Sequence, residues 1–343
     1  MGDYAVLVSL GIIELFHSSP KPESSVSPEQ QLKAETLFSQ ALEIAETPHT
    51  CPWNAEQAFY WRGIVRMMQN RYLEAQADFK QSAQENPAFW PALANLGSVN
   101  LALGLPAEVH LQAALDHMPE DDIKNRVIVR SNLCLAHMPQ SQPADVLACY
   151  NAIKADMAHK SLPSELQALP LLQLGNWYYY QQDCERAAQI YDEGLTRLDA
   201  KQSPESVAIF FESKGLAAIC TEDYEQAGQH FTRAQALYQQ HQVMLGRARI
   251  QIRIGMLAYL QGKPSAQTAF EQALALAQEA TSAYYQAWSY LGLGLTAKQN
   301  ADIDLACEHF HKALHLLQNL SPLEANIVQG YMEASGCGPN TSP

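Results

Sequence analysis

The stretch LGNWYYYQQDCERAAQIYDEGL (residues 174–195) combines a glycine, four successive aromatic residues, a polar break and a second apolar run. Ala187 follows Gly175 by 12 residues, and Tyr191 lies four residues further along. Small and apolar residues at intervals of three and four line one face of an α-helix. The stretch therefore predicts two helices that are joined by a short polar turn, which is a helical hairpin.

The same pattern recurs along the chain, with a glycine, then an alanine, then a large apolar residue four positions after the alanine. Because one hairpin cannot cover its own apolar faces, we expect the hairpins to stack into a solenoid. A degenerate copy without the glycine is expected between Ile123 and Ala155. The other copies are Gly11, Ala34, Phe38; Gly63, Ala75, Phe79; Gly97, Ala107, Leu111; Gly215, Ala227, Phe231; Gly255, Ala266, Phe270; and Gly292, Ala306, Phe310.

Two segments resemble a known repeat family: W-x-x-L-G at Trp288 to Gly292, and EDYEQAGQHFTRA at Glu222 to Ala234. Both are similar to tetratricopeptide repeats, and the resemblance covers nearly the whole chain. It implies an all-α, right-handed superhelical solenoid of about eight helical hairpins.

The spacing of the glycines changes along the chain: 34 residues separate Gly63 from Gly97, but 40 separate Gly175 from Gly215 and Gly215 from Gly255. The longer spacing predicts longer helices in the later hairpins. Hairpins of this kind resemble the extended repeats of bacterial regulators and scaffold proteins. We therefore expect N-terminal hairpins in 1–158 with a polar insert at 18–31, extended hairpins in 159–335, and a flexible tail at 336–343.

Composition argues against two classes of partner. The chain carries 36 acidic against 22 basic residues, a net charge of -14, and no basic run, so direct nucleic-acid binding is not expected. The apolar run YAVLVSLGIIELF (residues 4–16) is shorter than the roughly 20 residues that span a bilayer. We expect it to form a buried helix, with a signal peptide as the alternative, and we expect no membrane insertion.

Seven cysteines are scattered singly along the sequence, without a CxxC pair or a regular spacing. An odd number of isolated cysteines is typical of reduced thiols in a cytosolic protein. The sequence therefore predicts a cytoplasmic location.

The resemblance also implies a binding face. In tetratricopeptide repeats the first helix of each hairpin lines the concave wall, and here that wall is expected to be apolar and aromatic, which suits a helix or extended peptide of a partner. Tyr178 and Tyr191 are assigned to packing instead. The alternatives are that tight winding, the chain's own tail or a second copy covers the wall. The predicted partner-binding residues are Tyr60, Met67, Met68, Leu172, Asn176, Tyr179, Tyr180, Glu212, Arg249, Arg253, Met256 and Tyr259.

A basic segment, GRARIQIR, places Arg249 and Arg253 four residues apart on one helix face. Guanidinium groups can hold a carboxylate or phosphate in bidentate geometry, so an acidic group of the partner is a candidate ligand. Solvent exposure or pairing with Glu212 or Glu222 is the alternative.

Relatives that clamp the carboxylate tail of chaperones use a lysine and an asparagine on one hairpin, followed by asparagine, lysine and arginine on the next two. Asn176 matches the first asparagine, but the other positions are apolar. We therefore do not expect a chaperone-tail clamp. The apolar residues at those positions are Leu172, Leu216, Ile252 and Met256.

No catalytic, metal or cofactor site is predicted. Cys307, His311 and His315 share a helix face, but they span about 12 Å of helix axis and cannot easily reach one zinc ion. The chain contains no P-loop, GxSxG or HExxH motif. His49 and Cys51 could be a nucleophilic pair, but Pro48 and Pro52 beside them more simply indicate the end of one helix and its separation from the next.

These observations together predict a non-enzymatic adaptor, monomeric or weakly dimeric, that binds a protein or peptide partner of unknown identity. Two alternatives stay open: a ligand- or peptide-sensing regulatory domain that controls a partner's activity, and a self-assembling scaffold.

Overall fold

The computed structural model describes residues 8, 12, 26–45, 55–137, 143–157, 162–318 and 320–338. Val8 and Ile12 of the N-terminal apolar run are helical, and Val8 is buried in a core with Phe38 and Ala41. The remainder of that run, residues 18–25 of the polar insert, the His49 and Cys51 pair and residues 339–343 of the tail lie outside the described residues.

Sixteen α-helices and no β-strand occur in the described residues, which confirms the predicted all-α class. The helices are α1 (Pro28–Ala45), α2 (Glu56–Met68), α3 (Tyr72–Glu85), α4 (Trp90–Ala102), α5 (Glu108–His117), α6 (Ile123–His137), α7 (Pro143–Met157), α8 (Ser164–Tyr180), α9 (Cys184–Leu195), α10 (Pro204–Cys220), α11 (Tyr224–Gln240), α12 (Met244–Leu260), α13 (Ser265–Glu279), α14 (Ala283–Gln299), α15 (Ile303–Leu317) and α16 (Pro322–Glu333).

Consecutive helices pair into hairpins, from α2 with α3 to α14 with α15. The degenerate copy is present as α6 and α7, and α16 packs on α15 after the last hairpin. Helices α8, α10, α12 and α14 each have 17 residues, against 13 in α2 and α4. The longer glycine spacing therefore reflects longer helices, as predicted.

The chain divides into two compact units, Met1–Asp122 and Ile123–Pro343. This division concerns compactness, whereas the boundary at residue 158 concerns the type of hairpin. The assignment of 1–158, 159–335 and 336–343 as separate segments stays a prediction.

Within the described residues, none of the helices combines the length and the apolar character that a membrane span requires.

In five of the described hairpins a glycine of the first helix faces an aromatic ring of the second helix, whereas Gly97 of α4 faces Leu111 and the hairpin of α6 and α7 has no such glycine. A Cβ on Gly175 would overlap the ring of Tyr191, and a Cβ on Gly215 would overlap that of Phe231. These rings are buried in the cores of the stack. The glycines therefore allow two helix backbones to approach to within the width of one aromatic ring.

The last hairpin requires a correction to the predicted repeat. Gly294, not Gly292, faces Phe310 of its own hairpin, whereas Gly292 faces Phe270 of the preceding hairpin. Both glycines lie on α14 two residues apart, and sequence spacing alone did not distinguish the intrahairpin contact from the contact between hairpins.

Three of the turns inside the hairpins share one construction. Gln182, Glu222 and Ala301 each adopt a positive φ just after a first helix ends, and an aspartate follows each of them. The carboxylates of Asp183 and Asp223 then accept hydrogen bonds from backbone N–H groups in the first turn of the second helix. A left-handed residue followed by an N-cap ends one helix and starts the next within three residues.

Unit Met1–Asp122 contains a buried charge network that was not predicted. Asp78 of α3 is 2% exposed, and it accepts hydrogen bonds from Arg62 and Arg66 of α2. Arg66 also pairs with Glu35 of α1 at 3.0 Å. The network therefore links three successive helices through paired rather than isolated charges.

Six cysteines in unit Ile123–Pro343 form disulfides, so the expectation of reduced thiols is wrong for these six. The Cα–Cα distances lie between 5.4 and 6.2 Å, within the range of native disulfides. Helix packing brings together cysteines that are 15 to 36 residues apart, which their spacing in sequence did not indicate. The pairs are Cys134–Cys149, Cys184–Cys220 and Cys307–Cys337.

Gly215→Ala tests the role of the hairpin glycines. The added methyl group meets the ring of Phe231, so we expect the free energy of unfolding to fall by about 1–3 kcal/mol in urea titrations. Gly330→Ala is the matched control in α16, where nothing lies within 4 Å of the added Cβ. It should raise stability by about 0.5–1 kcal/mol through helix propensity. Equal effects of the two substitutions would contradict the packing argument.

His230 of α11 supplies a second test. It is buried and stacks on Phe211, and neither ring nitrogen has a hydrogen-bond partner among the described residues. Burial lowers the pKa of His230, with Lys214 and Arg233 acting in the same direction and Asp192 and Asp223 opposing them. The folded state therefore prefers the neutral ring, and its contribution is lost as pH falls below the usual histidine pKa of about 6.5.

We expect the protein to be less stable at pH 5 than at pH 7.5, and we expect His230→Phe to reduce that difference. Unfolding midpoints in urea at the two pH values measure the effect. A loss of stability in the variant as large as that in the parent would assign the pH dependence to other groups, such as His110 and His309, whose pKa values burial also lowers.

Candidate functional site

The candidate site lies on the first helices of the hairpins in unit Ile123–Pro343. Among the described residues, α6, α8, α10, α12 and α14 pack against one another in sequence, whereas the second helices of successive hairpins are not in comparable contact. A stack whose first helices touch and whose second helices diverge curves with the first helices on its inner side. We call the surface of these helices that carries the predicted binding residues the candidate face. Its residues are Leu172, Asn176, Tyr179 and Tyr180 of α8, Glu212 of α10, and Arg249, Arg253, Met256 and Tyr259 of α12.

Glu212 of α10 lies at the centre of the candidate face, and only 4% of its surface is exposed. Arg249 donates from Nε to Oε2 of Glu212 at 2.8 Å. Arg253, one turn further along α12, donates from Nε to Oε1 of Glu212 at 3.1 Å. One buried carboxylate therefore binds two guanidinium groups from the next hairpin.

Tyr238 of α11 completes this cluster. Its hydroxyl accepts a hydrogen bond from Arg249 Nη2 at 2.6 Å and lies 3.4 Å from Glu212 Oε2. The Arg249 guanidinium also lies over the Tyr238 ring, 5.6 Å from its centroid. Tyr238 is not among the residues predicted from the sequence. Gly246 is the sequence signal for it, since a Cβ there would overlap the Tyr238 ring.

Pairing with Glu212 is thus the arrangement that the structure shows for both arginines. The cluster still carries two positive charges against one negative charge. The side chains of Arg249 and Arg253 are 26% and 32% exposed. Within the described residues, the terminal nitrogens of Arg253 have no acceptor in hydrogen-bond range, so they remain open to an external anionic group.

Tyr179 and Tyr180 of α8 lie side by side, with their ring centroids 5.6 Å apart. Tyr179 packs partly against the core, whereas 77% of Tyr180 is exposed. Burial raises the pKa of the Tyr179 phenol, and the positive charge of Arg253 partly opposes that shift. Tyr178 and Tyr191 are buried, so their assignment to packing is confirmed.

Asn176, a predicted binding residue, is held by a hydrogen bond inside its own hairpin. Its Oδ1 accepts a hydrogen bond from the Tyr191 hydroxyl at 2.8 Å, which links the two helices of one hairpin. Leu172, Met256 and Tyr259 are partly buried against the cores of their hairpins. These four side chains therefore contribute to packing, and a role for them in binding stays a prediction.

The other predicted residues lie in unit Met1–Asp122. The Tyr60 ring packs against Trp61, Phe79 and Phe89, and Met67 is partly buried in the same core. Met68 is 41% exposed at the end of α2. Tyr60 and Met67 therefore belong mainly to the core of this unit, and their proposed part in binding is untested.

The cysteine and histidines of α15 do not form a three-ligand metal site. Cys307 is bonded to Cys337, which removes its thiolate from the set that included His311 and His315. The part of the chain that the structure describes contains no group of three or more histidine, cysteine, aspartate or glutamate side chains placed to hold a metal ion.

Glu212→Gln tests the energetic role of the cluster. The substitution keeps the shape of the side chain but leaves two arginines around a neutral amide, so we expect the free energy of unfolding to fall by about 2–3 kcal/mol. Glu271→Gln on the exposed face of α13 is the control, and should change stability by less than about 0.5 kcal/mol. Urea titrations measure both. Equal stability of the two variants would mean that the buried ion pair contributes little.

Comparison with known proteins gives likenesses of structure. No protein-family model and no curated protein matches the sequence. The quorum sensor NprR from B. thuringiensis superposes with a TM-score of 0.58 at 14% identity, over 84% of this chain and 83% of NprR. A Rap protein in complex with Competence and Sporulation Factor gives 0.56 at 13% identity, over 98% of each chain.

Yeast Tom70 gives a TM-score of 0.56 at 14% identity, over 96% of this chain and 69% of Tom70. At these identities the likeness concerns the fold alone. The neighbours are helical-repeat structures of the type that the glycine and aromatic spacing indicated. The chain therefore has the tetratricopeptide-type helical-repeat fold.

Proposed function

We propose that unit Ile123–Pro343 is a protein-interaction module that binds a segment of a partner protein on the candidate face. The observation that carries this proposal is Tyr180, which is 77% exposed on the end of a first helix beside the partly buried Tyr179. An exposed aromatic ring next to a fixed one offers apolar area at small cost in side-chain entropy, and tyrosine is enriched in binding sites for this reason.

Other apolar residues of α8 and α12 support the same proposal. Tyr179, Met256 and Tyr259 are each partly buried, so their orientation is set by packing before any partner binds. A preorganised surface loses less entropy on binding than a flexible one. A helix or an extended peptide with apolar side chains fits this surface.

Arg253 supplies the polar contact in the proposed binding of a partner segment. Its Nε is engaged by Glu212, and its terminal nitrogens face no acceptor within the described residues. An acidic side chain or a C-terminal carboxylate of the partner segment can accept hydrogen bonds there. Arg249, which is bound by both Glu212 and Tyr238, acts mainly by holding Glu212 and so Arg253 in place.

A peptide-sensing role is the second candidate. Two neighbours of the same fold are named as a quorum sensor and as a complex with Competence and Sporulation Factor. A sensor differs from an adaptor because binding must change the conformation that a further partner recognises. Hydrogen exchange of the whole chain with and without bound segment separates the two, since protection beyond α8–α12 is expected for a sensor.

Other predictions stay open. The absence of enzymatic activity, the monomeric or weakly dimeric state and the involvement of Tyr60, Met67 and Met68 are untested. A self-assembling scaffold remains the third candidate, and concentration-dependent light scattering tests it. A cytoplasmic location also stays a prediction, and the three disulfides weigh against it, because disulfides persist in oxidising compartments.

Photo-crosslinking tests the main proposal. We would replace Tyr180 with the photoreactive residue p-benzoylphenylalanine in the native host and identify cross-linked proteins by mass spectrometry. The same replacement at Tyr331, a 40% exposed tyrosine on α16, is the matched control. We expect one protein to be cross-linked from position 180 and not from position 331.

The cross-linked segment is then synthesised and titrated against the purified chain by calorimetry. Tyr180→Ala should weaken its binding by about tenfold, which corresponds to about 1.4 kcal/mol. Arg253→Gln should weaken it less at high salt than at low salt, because added ions screen the charge. Identical affinities of parent and Tyr180→Ala would remove the candidate face from the proposal.

A further inference from the structure

The three disulfides occupy distinct places in unit Ile123–Pro343. Cys134–Cys149 links the two helices of one hairpin, α6 and α7. Cys184–Cys220 links the start of α9 to the end of α10, and so joins two successive hairpins. Cys307–Cys337 links α15 to the segment that follows α16. The bonds therefore tie the beginning, the middle and the end of the unit.

The Cys184–Cys220 pair departs from the repeat pattern at two positions at once. Cys184 begins a second helix three residues before Ala187, where three of the other hairpins have Tyr72, Tyr224 and Ile303. Cys220 lies five residues after its hairpin glycine, where two of the others have Met68 and Leu260. Cysteines occupy both positions, and their Cα atoms lie 6.2 Å apart.

Other uses of paired cysteines fit this unit less well. In the described residues no pair is accompanied by a third and fourth ligand for zinc, so a metal site is not indicated. Cys134 and Cys184 are 6% and 3% exposed, which does not suit a nucleophile that must reach a substrate. Three pairs in one unit at disulfide distance are instead typical of a chain that is oxidised as it folds.

We propose that the three cysteine pairs are oxidation sites, and that the native protein folds and works in an oxidising compartment rather than in a reducing cytosol. In each reaction two thiols lose two protons and two electrons and form one S–S bond. The oxidant is a disulfide-bearing protein of the thiol–disulfide exchange class, whose own disulfide is reduced to two thiols. The proposal does not depend on binding at the candidate face.

Thiol trapping in the native host tests the proposal directly. Intact cells that produce the full chain are quenched with N-ethylmaleimide under denaturing conditions, and the protein is digested without reductant and mapped by mass spectrometry. We expect three disulfide-linked peptide pairs, Cys134–Cys149, Cys184–Cys220 and Cys307–Cys337, and maleimide on no more than the seventh cysteine, Cys51. Maleimide on all seven cysteines, or linkages between other partners, would overturn the proposal.

Thermal unfolding supplies an independent readout. Reduction of the purified, oxidised chain should lower its Tm by on the order of 5–10 °C, because each disulfide restricts the unfolded chain. The double variant Cys184→Ser, Cys220→Ser should lose part of that response to reductant, whereas Cys51→Ser should retain all of it. A Tm that reductant does not change would mean that the purified chain carries no stabilising disulfides and would count against the proposal.

Discussion

The contact between a small residue on one helix and an aromatic ring on the next is the constraint on which the rest of the structure depends. Gly175 against Tyr191 and Gly215 against Phe231 set the distance between the helices of a hairpin. Gly194 against Phe210 and Gly292 against Phe270 do the same between successive hairpins. Because each of these rings lies directly against a glycine backbone, the spacing of these helices is set by their neighbours, as expected for a repeat protein whose stability comes from nearest-neighbour packing.

Buried ion pairs also hold neighbouring helices of the stack together. Glu212 holds Arg249 and Arg253 of the next hairpin, and Asp78 holds Arg62 and Arg66. In both clusters a nearly buried carboxylate is paired with two guanidinium groups, so neither Glu212 nor Asp78 is an isolated charge. In unit Ile123–Pro343 this pairing also orients Arg253, which connects the stability of the stack with the chemistry of its candidate face.

The candidate face and the Cys184–Cys220 disulfide involve the same two hairpins of unit Ile123–Pro343. Tyr180 ends α8, Cys184 begins the next helix, and the bond from Cys184 to Cys220 joins this hairpin to the one that carries Glu212. A covalent link so close to Tyr179 and Tyr180 limits how far the two hairpins can separate. A rigid face favours an adaptor that binds a segment without changing shape, whereas a sensor requires that the stack deform despite this bond.

The sequence by itself determined the helices, their pairing into hairpins and the packing role of Tyr178 and Tyr191, because these follow from local spacing of small and aromatic residues. It also brought Glu212, Arg249 and Arg253 into one set, with pairing as an alternative to binding. Tertiary structure decided the partners: that Arg249 binds Tyr238, that Asn176 binds Tyr191, that Gly294 rather than Gly292 closes the last hairpin, and that six cysteines pair. These contacts join residues 11 to 36 positions apart in different elements of the fold, and their geometry depends on how helices of slightly different length stack.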